Sequence, residues 1–341
     1  MVNPKRQRSA VPFGAHERAM RASPVSRARG ARHIILVAAA TATLIAWHVP
    51  VLGAAAKQRH FATEDEAVAA LVNALKASDS KKLLDILGAG AKPLVNSGDP
   101  VAQRQARQQF VQAYEQSHSF ETSGDRAVLE VGADKWPFPI PLVKDTAGWR
   151  FDTAAGQDEI INRRVGRNEL STIQSCLAYV DAQREYYERN PDDSSLRHYA
   201  QKIASTPGKR DGLFWSTTDD EPDSPLGPNF ARALAEGYKF EAGKAVPYHG
   251  YYYRILTAQG PDAPGGAYDY VAHGKMIGGF ALVAYPAVYD ASGVMTFIVN
   301  QDGVVFQKDL GPKTTAIAKA MKTFNPDSTW TRVEHGGVGQ P

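Results

Sequence analysis

Cysteine is nearly missing from this chain: Cys176 stands alone among 341 residues. A single thiol rules out an intrachain disulfide and any multi-cysteine metal site, so stability has to come from an apolar core. Cys176 shares a helical face with Ile173 and Val180, which reads as a buried thiol rather than a nucleophile. Paired histidines are missing too. Downstream of residue 56 stand His60, His118, His198, His249, His273 and His335, and none is spaced from another as a metal ligand. No Gly-x-Ser-x-Gly elbow, phosphate-cradling loop or Rossmann glycine fingerprint occurs. Ser78 and Lys81 make a Ser-x-x-Lys spacing, but its partner motifs are absent and chance explains it. No catalytic residue, metal site or cofactor is assigned.

Basic charge is short where it would matter. The formal net charge is +3, from 39 Lys/Arg and 36 Asp/Glu. Eight of the bases lie in residues 1–56 against Glu17 alone, leaving 31 bases and 35 acids downstream. A body with that balance has no cationic excess for phosphates, which excludes nucleic acid as a partner. There is one long apolar run. Arg27, Arg29 and Arg32 precede "IILVAAATATLIAW", and Ala54 and Ala56 follow as small residues. Charged, apolar, small is the order of a secretory signal, read here as residues 1–56 with cleavage after Ala56 and Met20 as an alternative start. The competing reading is an uncleaved anchor at residues 34–52, near bilayer-spanning length. The expected location is periplasmic or secreted, with membrane contact only through a leader that stays attached.

What is present reads as helices, then strands, then the same again. "FATEDEAVAALVNALKAS" is a helix with Thr63 and Glu66 as a capping box and Val68, Leu71, Val72 and Leu75 on one face. "DSKKLLDILG" is a short helix ended by Gly88, and a third starts at Asp99 and Pro100. That third helix carries only Val101, Phe110, Ala113 and Tyr114, so it covers a sheet with one stripe. "RAVLEVG", "FPIPLVKD" and "GWRFDT" read as strands, the last two joined by a turn at residues 145–148. Pro137, Pro139 and Pro141 predict an edge position for the middle one. A long helix over 156–190 follows, with a stripe of Ile160, Ile161, Val165, Leu170, Ile173, Leu177 and Val180. Gly166 is an interruption or a hinge, and Pro191 ends the helix. Residues 192–248 are loop-rich, with a short helix at "LRHYAQKIAS" and an acidic, proline-broken loop at "STTDDEPDSPLGPNF". Strands return in "GYYYRILTA", "GGFALVAYPAVY", "GVMTFIVN" and "GVVFQKDL", the last pair joined by a turn at 300–303. "TTAIAKAMKTF" closes the fold as a helix with Ile317, Ala320, Met321 and Phe324 on one side. The class expected is α+β with two domains: residues 57–155 and 191–334, joined by the 156–190 helix and trailed by a frayed tail, 335–341.

The first half resembles the cone-shaped nuclear-transport-factor-two-like and cystatin-like domains, whose last strand often reads "GWRF". The second half resembles the globular part of type IV pilins and pseudopilins, in its helix-then-sheet order and its Asp-Gly before the final strand. It departs from pilins because no extended apolar helix leads directly into it. Over residues 60–334 the chain resembles the bacterial domain-of-unknown-function family 2950. "FATEDEAVAALVNALKASD", "NELSTIQSCLAYVDAQREY", "QGPDAPGGAYDY", "GKMIGGFALVAYPAVY" and "SGVMTFIVNQDGVVFQKDLG" carry that likeness. The resemblance implies an exported or envelope protein and brings no activity or catalytic residue with it.

Candidate binding residues cluster in the tyrosine- and glycine-rich stretch 250–286. In a strand, Tyr251, Tyr253 and Ile255 face one side, and Tyr252, Arg254 and Leu256 the other. One set is core and the other is free for a ligand. Tyr252, Arg254, Tyr268, Asp269 and Tyr270 are the residues proposed from this pattern, because amphipathic rings beside an arginine suit a sugar or a peptide. Asp219, Glu221 and Asp223 alternate along one loop as a solvated acidic segment or a calcium site lacking the EF-hand glycine and glutamate. The expected function is a non-catalytic binding or assembly module for an envelope protein or glycan. The alternative is a hydrolase or transferase using Asp262, Asp269 or Asp302.

Overall fold

Residues 58–240 and 245–334 are described by a computed structural model. The leader at 1–56 with its cleavage site, the anchor alternative at 34–52 and the tail at 335–341 lie outside the described residues.

Helix α1 (Glu64–Lys76) begins at its capping box. The Thr63 hydroxyl accepts from the Glu66 amide at 3.1 Å, and the Glu66 carboxylate reaches back to the Ala62 amide. Helix α2 (Ser80–Leu87) ends at Gly88, whose φ of 85° suits only glycine without strain. One turn, α3 (Lys92–Val95), leads to α4 (Pro100–Gln116), where the Asp99 carboxylate accepts from the Val101 and Ala102 amides. Helix α4 buries no residue fully. Phe110, Val111, Ala113 and Tyr114 pack half-buried on the core, as a single stripe predicts.

Strands β1 (His118–Ser123), β2 (Arg126–Val131), β3 (Trp136–Pro137), β4 (Leu142–Asp145) and β5 (Gly148–Phe151) form an antiparallel sheet ordered β1-β2-β4-β5. The proline-bearing run is therefore not an edge strand. It breaks into β3 and β4, both paired to β2, and β4 runs between β2 and β5. Pro139 and Pro141 fall in the break, where their missing N–H groups cost no ladder bond. The open side of β5 is closed by Phe61, which exchanges two backbone bonds with Trp149 at 2.9 and 2.8 Å. Gly148 is required for that approach: its φ is +122°, and a Cβ would stand 2.4 Å from the Phe61 carbonyl oxygen. Leu71, Ile86, Leu129, Ile140 and Phe151 form the core beneath.

Helix α5 (Gln157–Arg189) runs unbroken through Gly166 for 33 residues, about 50 Å at 1.5 Å per residue. Asn190 in the left-handed conformation ends it before Pro191. Its buried stripe differs from the expected one. Leu170 is 67% exposed, while Asn168, Thr172, Cys176, Tyr179, Gln183 and Tyr186 face inward. Counting apolar residues misses this face because hydrogen bonds satisfy its polar members. Asn168 donates to the Ser292 carbonyl, and Gln183 bonds both the carbonyl and the amide of Ala200.

The remaining elements are α6 (Gly227–Ala235), β6 (Tyr251–Leu256), β7 (Ala258–Gln259), β8 (Tyr268–Asp269), β9 (Val271–Ala272), β10 (Lys275–Met276), β11 (Ala281–Pro286), β12 (Met295–Asn300), β13 (Phe306–Asp309), α7 (Thr314–Ala320), β14 (Thr323–Phe324) and β15 (Thr331–Arg332). A second antiparallel sheet has the order β15-β13-β12-β11-β6. Helices cover both of its faces. Tyr253 reaches Thr172 of α5, and its neighbour Arg254 reaches the end of α7; adjacent strand residues point to opposite faces. Phe297, Ile298, Val299, Val283 and Tyr251 are fully buried between them.

Three local expectations are corrected. "LRHYAQKIAS" is not a helix; it is extended chain that bridges Tyr199 to Met276 and Ala204 to Phe214. "GPNF", read as the end of the acidic loop, opens α6, because a proline in the first helical turn starts a helix instead of breaking one. Helix α7 stops at Ala320 and buries Thr314 and Ala318, leaving Ile317 41% exposed and Phe324 buried from β14. The class is α+β. Its two cores lie within one compact unit of the chain.

Candidate functional site

Strand β6 is the outer strand of the second sheet, and the site forms beside it. A cavity of about 1220 Å³ lies between β6, the middle of α5, the segment 202–216 and α6. Tyr252 and Tyr253 point to opposite faces of β6, yet both line the cavity. The space therefore straddles the strand's outer edge. Its far wall is aromatic: the Phe214 and Phe230 rings stack at 4.0 Å and 5°, and Phe240 lies 4.5 Å from Phe230. Trp215 lines the same wall, with the Arg210 guanidinium 5.7 Å from its ring.

One carboxylate holds that wall in shape. Asp211 accepts from the Thr206 amide and from Lys202 Nζ, each at 2.7 Å, and from the Thr206 hydroxyl at 2.9 Å. Burial alone would raise its carboxyl, but the bonds from Lys202 and Thr206 outweigh it and hold it down at about 2. Lys202, Lys209 and Arg210 line the cavity; among the described residues Glu221 is the one carboxylate of its lining and pairs with Arg210 at 3.3 Å.

The five residues proposed from the sequence do not converge. Tyr252 lines the cavity. Arg254, on the same face of β6 as Tyr252, donates to the Ala318 and Met321 carbonyls and caps the C-terminus of α7. Tyr270 is fully buried, and its hydroxyl donates to Gln259 Oε1 at 3.0 Å, which makes it a core residue. Tyr268 and Asp269 are exposed on β8, away from the cavity lining. The glycine-rich loop after β7 is held from within, by Gln259 Nε2 donating to the Pro264 and Gly266 carbonyls. Asp262 is bonded by Asn325 from a distant segment and Asp302 by Asn300 within its own turn, and neither lines the cavity. Asp219, Glu221 and Asp223 do not gather as ligands; among the described residues no group of three His, Cys, Asp or Glu side chains could hold a metal ion. Cys176 is fully buried, and burial pushes its thiol up to about 12.

A second polar cluster joins the two cores. Asp99 is 1% exposed, and besides capping α4 it accepts from the Tyr238 hydroxyl at 2.9 Å and the Gly250 amide at 2.8 Å. Four donors saturate it, so this carboxylate is structural. His249 lies 3.3 Å from Glu236 beside it, its ring held below the usual imidazole range chiefly by burial.

Phe214, Trp215, Phe230, Phe240 and Tyr248 are the wall residues that sequence reasoning missed. The available signal was their company: "LFW", "NF" and "KF" place large rings inside a polar, proline-rich region that has no strand to bury them.

The fold and the site define an α+β protein whose outer sheet edge faces an aromatic cavity. The chain belongs to the family described as "Protein of unknown function (DUF2950)", which matches residues 58–333. No curated protein and no solved structure matches it, so the pilin-like and cone-like resemblances rest on element order, the "GWRF" strand and the Asp-Gly turn. Among the described residues no helix is long and apolar enough to cross a membrane.

Proposed function

We propose that this chain is an exported binding module that holds a segment of a partner protein or glycan in the cavity beside β6. The observation that carries this reading is the aromatic wall of Phe214, Trp215, Phe230 and Phe240 around a space of about 1220 Å³. Cavities of this size and lining take a ligand of several residues or sugar rings, with stacking supplying affinity. Among the described residues the lining offers one carboxylate, already paired with Arg210, which supports binding rather than two-carboxylate hydrolysis. The export part of the proposal rests on the charged, apolar, small order of residues 1–56.

The test is a titration of the full chain with a pool of oligosaccharides and a pool of random seven-residue peptides, following tryptophan fluorescence. Trp215→Ala is expected to weaken the binding member roughly tenfold, about one aromatic contact, with little change in melting temperature. Undiminished binding in that variant would place the ligand elsewhere.

A further inference from the structure

The binding reading above leaves peptide and glycan open, and the backbone of β6 separates them. In an antiparallel ladder, residues alternate between those whose N–H and C=O face one neighbour and those whose groups face the other. The Gly250 carbonyl accepts from Ala287, in register with the β6–β11 pairing, so Gly250, Tyr252, Arg254 and Leu256 face β11. Tyr251 faces outward and exchanges both its backbone bonds with Tyr248. Tyr253 and Ile255 must then face outward as well. Neither has a backbone partner on that side among the described residues. The open stretch is bounded, because Tyr248 occupies Tyr251 at one end and Lys322 takes the Thr257 amide at the other.

Among the described residues, two donors and two acceptors thus line the edge that the cavity straddles. An unpaired edge is a liability unless it is covered, and a sugar chain does not present an N–H and a C=O together every second unit at the strand spacing of roughly 6.8 Å. A peptide backbone does. We propose that the cavity takes an extended peptide of a partner protein, which adds to β6 as a sixth strand by pairing with Tyr253 and Ile255. Alternate side chains of that peptide turn toward Phe214, Trp215 and Phe230, which calls for apolar residues two apart. The rim carries Lys202, Lys209 and Arg210 against Glu221. Asp211 and Glu221 engage Lys202 and Arg210, and Lys209 has no ion pair among the described residues. An acidic group at one end of the peptide complements it.

The probe is a set of synthetic seven-residue peptides selected by display against the immobilised full chain, retained only if Trp215→Ala weakens them. Strand addition predicts that saturation slows hydrogen exchange of the Tyr253 and Ile255 amides at least tenfold. It also predicts that N-methylation of the peptide weakens binding tenfold or more at alternate positions and hardly at those between. If a Trp215-dependent peptide leaves both amides unchanged and tolerates N-methylation everywhere, strand addition is wrong and the cavity reading survives. A Trp215-dependent oligosaccharide with no such peptide has the same consequence. Failure of both probe classes overturns both proposals. Concentration-dependent dimers that protect the same two amides would make the occupant a second copy and overturn the partner peptide.

Discussion

Asp99 shows how much one buried side chain carries. Its oxygens receive two amides of α4, the Tyr238 hydroxyl and the Gly250 amide. Asp99→Ala leaves those donors unpaired in the interior, and the expected loss is about 3 kcal/mol in urea unfolding, a cap plus buried bonds. Arg254→Ala is expected to lower stability by about 1–2 kcal/mol through the lost cap of α7, with ligand affinity unchanged. A binding defect at unaltered stability would return Arg254 to the site. Cys176 gives a pH signature. Burial raises its thiol from a reference value of 9.0 to about 12, and the buried Tyr179 and Tyr251 hydroxyls are raised likewise. The folded chain holds these protons longer than the unfolded one, so stability falls as pH rises above about 9. Urea midpoints between pH 8 and 11 check the sign, and a thiol reagent at pH 8 should modify Cys176 only as fast as the chain unfolds.

Among the elements, α5 tests the hinge reading of Gly166. The helix is continuous there and a Cβ would meet nothing within 4 Å. Gly166→Ala should therefore stabilise the chain by up to about 1 kcal/mol in thermal unfolding; a loss would restore the hinge. The wall segment 202–216 has an acid limit. Asp211 is held at about 2, so its stapling is fully present above the ordinary carboxylate value of 3.8 and is lost as pH falls toward 2. Asp211→Asn should reproduce that loosening at neutral pH, read as faster exchange of the Thr206 amide. Elements with local signals were legible in the sequence: the Thr63 cap, the Asp99–Pro100 start and the turn before Gly148. The wall was not, because Phe214, Phe230 and Phe240 meet only through contacts between segments that lack periodicity. Nor was Tyr270 legible as core, since its partner Gln259 lies across a loop whose path glycines leave open.

At the scale of the molecule, two cores share three polar fastenings among the described residues. Asp99 bonds Tyr238 and Gly250, Gln105 donates to the Glu236 carbonyl at 2.8 Å, and Arg164 spans the Pro93, Leu94 and Ala291 carbonyls. Burial holds the Arg164 guanidinium down at about 10, helped by Arg167 and Arg107. Far- and near-ultraviolet circular dichroism should accordingly report one coincident thermal transition; two would mean independent cores. Pro286 closes the account of the second sheet. By the β11–β12 register it would face Met295, but it has no amide to give the Met295 carbonyl, and the Tyr251 hydroxyl donates there at 2.9 Å. Glu169 of α5 accepts from the Val294 and Met295 amides at the start of β12, at 2.9 and 3.0 Å. That carboxylate pins the long helix against sliding along the strands by even one 5.4 Å turn. Whatever widening admits an occupant must then come from the opposite jamb, where Asp211 is the latch.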